Sequence, residues 1–327
     1  MEKLVTVIMP VYNTGVSLEK SVNSILQSSY RNIELLIVDD GSGKETADLC
    51  DSLAKKDDRI KVIHQKNSGV SAARNTGLKY VKGDYVVFVD SDDFLEANMI
   101  SSLIEIAEQE DIDVVVGGYR ECYDDGSETK YGCNRKTLIK RGQEILTDFF
   151  TTNNIGWNVW GKLYRREAIE PVRFAEGKKV AEDMFFIYQI LKKIDSVAIC
   201  GFPIYRYIKH DNSAMADINC AKFFDSFYLT RAVFNDPETD ETVKSEKELF
   251  YIRNELFFFR FIYTKDKLGK VRTEINNARG IFLTDIEKYK SNVNLRMKLE
   301  ILMLKRLPLL FKAYARISFF GGKKKKI

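Results

Sequence analysis

"GDYVVFVDSDDFLEANM", residues 83–99, decides how this chain is read. Tyr85 to Val89 is an unbroken run of β-branched and aromatic residues, the pattern of a strand buried on both faces. It ends in three acids within four positions: Asp90, Asp92 and Asp93. Crowded carboxylates raise one another's pKa unless a cation or hydrogen-bond donors compensate, so this strand end calls for a positive partner.

Similar runs lie on either side. "LVTVIMP" (Leu4–Pro10), "IELLIVDD" (Ile33–Asp40), "IKVIH" (Ile60–His64) and "DVVVGG" (Asp113–Gly118) read as strands. Helical patterns occupy Ser17–Gln27, Lys44–Lys55, Ser71–Tyr80 and Ala97–Glu108. Apolar strands alternating with helices predict an α/β fold with a mostly parallel sheet covered on both faces. Ligands of such sheets bind beyond the carboxyl ends of the strands. The polar residues expected there are Tyr12 and Asn13, Asp39 and Asp40, then Asp90, Asp92 and Asp93. That rim is the candidate site. Residues 120–215 are less regular, with one clear helix at Asp183–Lys192, and the chain beyond 220 reads as helical.

Composition bounds the rest. The chain has 327 residues, 45% of them hydrophobic, and only 5 prolines, as expected of a folded protein with ample core. "MEKLVTVIMPVYN" lacks the apolar core of a signal peptide, so export is not expected. Five scattered cysteines without a C-x-x-C suggest neither a zinc site nor a disulfide framework, and fit a reducing cytoplasm. From Asn294 to Ile327 there are ten Lys or Arg against one acid, Glu300, so that tail carries +9 and residues 1–293 carry about −5. A mildly acidic body is unlike a nucleic-acid-binding surface, and no nucleic-acid partner is expected.

After the first strand, "PVYNTG" lacks G-x-G-x-x-G, and no G-x-x-x-x-G-K-[ST] occurs. Nucleotide phosphates must therefore be neutralised without a glycine cradle. In extended chain Asp90 and Asp92 point to the same side across Ser91. Paired hard carboxylates suit Mg2+ or Mn2+, which bridge diphosphate oxygens. The plainer alternative is a solvated turn in which Asp92 or Asp93 caps the next helix. In "NSGVSAARNTG" (Asn67–Gly77) small residues allow a helix to approach closely, and Arg74 lies about one turn inside it, as a ligand contact or a surface arginine. His64 ends a strand and reads as structural. Trp157 and Trp160 either wall a site or fill core.

Taken in order, "VIMPVYN", "LLIVDDGS", "NSGVSAARNTG" and "YVVFVDSDDFL" resemble the nucleotide-sugar-binding half of family 2 glycosyltransferases, which have the GT-A fold. The likeness continues more loosely through "WGKLYRRE" (Trp160–Glu167), "AEDMFF" (Ala181–Phe186) and "YRYIKHDNS" (Tyr205–Ser213). It implies an inverting, metal-dependent transfer from a UDP-sugar. Pro10, Tyr12 and Asp40 would hold the uracil, with Asp39 close to the nucleoside and Arg74 on the nucleotide. Asp90 and Ser91 would sit near ribose and metal, and Asp92 would ligate Mn2+ or Mg2+ directly. Asp183 would be the general base, although acids at a helix start are also favoured by the macrodipole. His210, with Lys209 and Ser213, would close over the diphosphate and stabilise departing UDP. The resemblance implies a glycosyltransferase domain over 1–216, with 1–120 binding nucleotide-sugar and 121–216 serving acceptor and catalysis. Beyond 216 it gives no guidance, and the helical region over 217–327 is read from the sequence pattern. A nucleotidyltransferase and a non-catalytic sugar-nucleotide or glycan-binding subunit are the rival readings.

No run in the tail nears the roughly 20 apolar residues of a transmembrane helix, and Pro308 interrupts it. Leu307, Leu310, Phe311, Tyr314, Ile317 and Ser318 recur at helical spacing, with Lys305, Lys312 and Arg316 opposite. Such a helix suits an anionic membrane surface, or packs on the protein's own body. The membrane reading places the protein on the cytoplasmic face of the cell membrane. Its acceptor would then be a glycan or lipid-linked oligosaccharide of capsule, exopolysaccharide or cell-wall polymer synthesis.

Overall fold

Strands β1 (Val5–Val11) and β2 (Ile33–Asp39) have every residue buried, which is why their sequences are nearly continuous apolar runs; the exceptions inside them, Thr6 and Glu34, hydrogen-bond each other at 2.6 Å. β1 and β2 are inner strands of a ten-stranded sheet in this computed structural model, which describes residues 2–132, 136–152, 154–209, 219–239, 241–266, 268–287 and 293–321. The remaining strands are β3 (Ile60–His64), β4 (Tyr85–Phe88), β5 (Phe94–Leu95), β6 (Val114–Tyr123), β7 (Glu128–Tyr131), β8 (Leu138–Arg141), β9 (Lys162–Arg165) and β10 (Ser196–Lys209). The order is β3-β2-β1-β4-β9-β6-β10-β5, with β7 paired to β6 and β8 to β10. Pairing is parallel from β3 through β4 and again between β6 and β10. β9 runs antiparallel to both β4 and β6, and β5, β7 and β8 are antiparallel as well. The sheet is therefore mixed. Most of its antiparallel members come from residues 128–165, the stretch whose sequence pattern is irregular.

Helices α1 (Ser17–Leu26), α2 (Lys44–Ala54), α3 (Val70–Lys79) and α4 (Met99–Glu110) fall where the periodicity predicts them. α3 lies close on β1: a Cβ at Gly77 would sit 2.5 Å from Cγ2 of Ile8, so only glycine permits this packing. Three further helices, α5 (Gln143–Thr151), α6 (Arg166–Ile169) and α7 (Glu182–Leu191), complete the part of the chain before residue 210.

The chain divides into two compact units. The first contains the sheet. The second takes Phe150–Thr152, Lys178–Phe185 with the first turn of α7, and the chain from Ala214 onward. Its helices are α8 (Cys220–Phe234), α9 (Lys244–Lys265), α10 (Arg272–Glu287), α11 (Leu295–Arg306) and α12 (Pro308–Gly321). Their core is aromatic, built on Phe223, Phe227, Phe258, Phe259 and Phe282. α11 stops at Arg306 and α12 starts on Pro308, because proline lacks an N–H and is tolerated only in a helix's first turn.

The tail stripe splits in this unit. Phe311 and Ala315 are fully buried, whereas Leu309, Leu310 and Ile317 are 82%, 52% and 76% exposed. Glu300, the tail's one acid, is buried and accepts hydrogen bonds from Arg296 Nε (2.9 Å), the Tyr314 hydroxyl (2.6 Å) and Arg260. So α12 is tied to α11 through a charge, and only part of its apolar surface faces outward.

Candidate active site

Four loops at the carboxyl ends of β1, β2, β3 and β4 are hydrogen-bonded into one rim. Asn13 donates its N–H to Ser42 Oγ (3.0 Å), and its Oδ1 accepts from the Gly43 N–H (2.8 Å). Thr14 and Ser91 share a hydroxyl hydrogen bond of 2.6 Å, joining the β1 loop to the β4 loop. Gly41 has φ +74°, and a Cβ there would lie 2.6 Å from the Asn67 nitrogen, so glycine lets the "DDG" and "NSG" loops touch. The predicted convergence of strand ends is present.

Pro10 is buried within β1, and the Tyr12 ring stands 55% exposed on the rim. The two acids after β2 face inward. Asp40 is 3% exposed; its Oδ1 accepts from Gln65 Nε2 (2.7 Å) and the Ser68 N–H (2.8 Å), and its Oδ2 from the Gly69 N–H (2.7 Å). Asp39 Oδ1 accepts from the Ser42 N–H (3.0 Å), and Oδ2 lies 2.8 Å from His64 Nδ1. Burial alone would raise the Asp39 carboxyl, but the Ser42 and His64 hydrogen bonds outweigh it and hold it below its ordinary pKa. His64 also reaches Asp51 at 3.1 Å, and these two hydrogen bonds, with Asp39 first, raise its pKa. Its structural reading fits this placement.

β4 ends at Phe88, one residue before the end of the apolar run, and Asp90 to Asp93 form a turn closed by the Asp93 N–H on the Asp90 carbonyl (3.1 Å). Asp90 and Asp92 are therefore neighbours on a turn and not on extended chain. The three acids part company here. Asp93 is fully buried, its Oδ2 accepting from the Tyr205 hydroxyl (2.7 Å) and its Oδ1 from the Ile208 N–H (2.8 Å). Burial, then the charges of Asp90 and Asp92, push its pKa well above the ordinary carboxylate value. It caps no helix: α4 begins at Met99 after Asn98. Asp90 Oδ1 accepts from Arg74 Nη2 at 2.9 Å, and Asp92 is half-buried beside it.

Arg74 is a buried arginine, not a surface one, with its side chain 4% exposed and its guanidinium 5.3 Å from the centre of the Phe174 ring. Its neighbour Asn75 holds that phenylalanine in place, accepting from the Phe174 N–H (2.8 Å) and donating to its carbonyl (3.0 Å). This clamp spans 99 residues, and nothing in the local pattern announces it. Tyr205 is likewise illegible as a site residue until the fold sets its hydroxyl between Asp93 and the Asp90 N–H (3.2 Å).

Asp183 lies in the first turn of α7, half-buried, in the second unit. The residue two before it, Ala181, has φ +67°, a left-handed conformation that costs a non-glycine residue about 1 kcal/mol or more. Strain of this kind collects where a neighbouring group has to be aimed. Lys209 ends β10 with Nζ 3.1 Å from Glu121. His210 and Ser213 lie outside the described residues. Among the described residues no group of three or more His, Cys, Asp or Glu gathers to hold a metal, and no helix is long and apolar enough to cross a membrane.

Comparison with known proteins agrees with these motifs. The model of the family described as glycosyl transferase family 2 matches residues 6–173, just over half of the chain. An uncharacterized glycosyltransferase, EpsJ, of Bacillus subtilis (strain 168) is 35% identical over 218 residues, which cover 65% of this chain and 63% of that protein. Glycosyltransferase GlyG of Streptococcus pneumoniae serotype 4 is 33% identical over 226 residues, covering 66% of this chain and 74% of the relative. Among solved structures, S. aureus TarS 1–349 in complex with UDP-GlcNAc superposes with a TM-score of 0.75 at 19% identity, covering 98% of this chain and 92% of that one. The family match over more than half of the chain, on a sheet of the same fold, places this chain in the family 2 glycosyltransferases, with their GT-A fold.

Proposed function

We propose that this chain transfers a sugar from a UDP-sugar to an acceptor hydroxyl, inverting the anomeric carbon. One observation carries the reading: a buried arginine held against Asp90, on the turn at the carboxyl end of β4 that also presents Asp92. That is an anion-binding group and an oxygen-donor pair in one place, the combination a diphosphate requires. TarS, which shares the fold, is in complex with UDP-GlcNAc, and this supports a UDP-sugar donor.

In this reading the exposed Tyr12 ring, on the strand end that begins at Pro10, offers its face to the uracil. Asp39 and Asp40 have protein donors already, but a carboxylate has about four lone-pair sites, so each retains capacity for the base or nucleoside. Ser91 backs the turn through Thr14. Asp92 and Asp90 fit Mn2+ or Mg2+: two hard oxygen donors are what such ions take from protein when substrate phosphates and water complete the shell. When bound, the ion supplies positive charge to the diphosphate. Asp183 accepts the acceptor's hydroxyl proton as that oxygen attacks the anomeric carbon. The bond from that carbon to the diphosphate oxygen breaks, and its electron pair leaves with UDP. His210 and Ser213, with Lys209, are assigned to hydrogen-bond the departing diphosphate. The test is to incubate purified protein and Mn2+ with several UDP-sugars. Slow release of UDP is expected; a nucleotidyltransferase would release no UDP from them but would form pyrophosphate when given UTP and a sugar 1-phosphate instead, and a binding subunit would do neither.

The basic tail is proposed to dock on an anionic membrane on the cytoplasmic side, which makes a lipid-linked oligosaccharide the favoured acceptor and places the enzyme in capsule, exopolysaccharide or cell-wall polymer synthesis. Support comes from exposed apolar side chains, Leu295, Leu299 and Leu302 at helical spacing on α11, and Leu309, Leu310 and Ile317 on α12. Lys298, Lys305, Arg306 and Arg316 are exposed on the same helices. Each basic residue near an anionic surface contributes roughly 1 kcal/mol. Deleting the tail is a poor test, because Leu304, Phe311 and Ala315 belong to the helical core. Replacing Leu299, Leu302, Leu309 and Ile317 by Ser leaves that core alone. Full-length protein is expected to co-sediment with anionic vesicles at low salt and to come off at high salt. The fourfold variant is expected to bind at least about tenfold more weakly, since burying one leucine side chain is worth about 1.5 kcal/mol or more. Equal binding by both proteins would refute membrane docking through this surface.

A further inference from the structure

Next to the acidic turn, one face of strands β7, β6 and β10 carries rings at alternate positions. β6 contributes Tyr119, Glu121 and Tyr123, and β10 contributes Tyr205, Tyr207 and Lys209, paired residue for residue in parallel register. β7 places Tyr131 opposite Tyr119. Alternate residues of a strand share a side, so all seven lie on one face. Trp160 stacks on Tyr205 (centroids 4.5 Å apart, planes at 12°) and on Tyr207 (5.5 Å, 11°) and meets Tyr119 edge-on at 5.0 Å. Tyr119 in turn stacks on Tyr131 at 4.9 Å.

Rings packed together are usually core, and Tyr205 is core. This row, however, surrounds a carboxylate. Glu121 Oε2 accepts from the Tyr123 hydroxyl (2.7 Å), Lys209 Nζ (3.1 Å) and the Tyr131 hydroxyl (3.3 Å). Its Oε1 takes no hydrogen bond from any described residue. Burial alone would raise the Glu121 carboxyl, but the hydrogen bonds of Tyr123 and Lys209 outweigh it and hold it below the ordinary value, so Oε1 shares a full negative charge at neutral pH. The row is also joined to the acidic turn. Tyr205 bonds Asp93 and the Asp90 N–H, and burial, followed by the charges of Asp93, Asp92 and Asp90, raises the Tyr207 phenol to about 12.

A pyranose ring has the complementary chemistry. Its C–H faces lie against aromatic rings, and its equatorial hydroxyls seek acceptors, most strongly charged ones. We propose that this face seats a pyranose ring of the acceptor glycan, its C–H face on Tyr131 and Tyr207 and one hydroxyl on Glu121 Oε1. The glycosyltransferase reading supplies only the origin of that sugar; the donor's own sugar is the other source of the same chemistry.

The test uses full-length protein and two variants, Glu121→Gln and Tyr131→Ala, with thermal unfolding as a check on folding. Methyl β-glucopyranoside, methyl β-galactopyranoside and N-acetylglucosamine are the free probes, followed by saturation-transfer NMR with UDP and diamagnetic Mg2+ present. UDP, UDP-glucose and UDP-GlcNAc are titrated calorimetrically in parallel. At least one free pyranoside is expected to bind wild type and to lose about fivefold in affinity in each variant, the scale of one stacking or charge-assisted contact. UDP affinity is expected to stay within about twofold in Tyr131→Ala. Glu121→Gln also removes the carboxylate partner of Lys209, so its pyranoside loss is judged against its own UDP affinity. Loss of UDP-sugar affinity relative to UDP, with free pyranosides unaffected, would assign the face to the donor's sugar and overturn the acceptor assignment. Equal binding of every probe by wild type and variants, or no pyranoside binding to a protein that does bind UDP, would overturn the face as a sugar site. Failure of UDP itself to bind would count against the donor reading, and the pyranoside titrations would still decide the face.

Discussion

Replacing Asp183 by Asn is expected to lower sugar transfer by about 10² or more, the usual scale for losing a general base. The substitution keeps the side chain's shape and its ability to accept a hydrogen bond at a helix start, where Asn and Asp serve about equally well. It removes only the capacity to hold a proton. A carboxylate retained merely for the α7 dipole would give a different result, about 1 kcal/mol of stability and no change in chemistry. The assay is UDP-dependent transfer to acceptor at saturating donor, with UDP affinity from calorimetry beside it. Affinity is expected to move by no more than about twofold, because binding precedes proton transfer. Transfer at near wild-type rate would mean that Asp183 is a helix-start acid and that the base lies elsewhere.

The second large effect separates two aspartates that are adjacent in sequence. Asp92→Asn is expected to remove most of the Mn2+-dependent part of UDP binding, about 10²-fold, since a neutral amide is a poor ligand for a hard cation. The fold should be unaffected, because Asp92 sits half-buried at the surface of the turn. Asp93→Ala should do the reverse. It deletes a buried acceptor and strands the Tyr205 hydroxyl and the Ile208 N–H, at about 1–3 kcal/mol for each unsatisfied group. Calorimetry with UDP, with and without Mn2+, and thermal unfolding of both variants provide the comparison. Unchanged Mn2+ dependence in Asp92→Asn would remove that residue from the metal assignment. An unchanged unfolding midpoint in Asp93→Ala would show that the latch between the turn and β10 stabilises nothing.

These aspartates also mark how far local pattern can be followed. Of the strands that build the rim, β1, β2 and β4 are legible because burial on both faces demands nearly continuous apolar sequence, whereas β3, a partly exposed edge strand, is legible from its β-branched residues. β5, β7, β8 and β9 are two to four residues long and partly exposed, too short for any period to show. The α3 motif predicts close packing from its small residues, and Gly77 against Ile8 is that contact. Its arginine was legible as a candidate, but its burial over Phe174 depends on a clamp 99 residues away.

Local pattern alone shows the α/β class and the parallel strands in order, with polar residues where those strands end. The reason is that burial and backbone periodicity act over a few residues, so they are written locally. It also showed a basic tail with an apolar stripe. Which partner each acid meets is set only by folding. Asp90 meets Arg74, and Asp93 is withdrawn into the core by Tyr205, 112 residues later, while Asp40 is engaged by the loop after β3. In the tail folding decided that Phe311 faces inward and Ile317 outward. Identical side chains on one short segment are indistinguishable in one dimension. Hydrogen-bond partners and burial, which set their charge and reach, come from parts of the chain that only folding brings together.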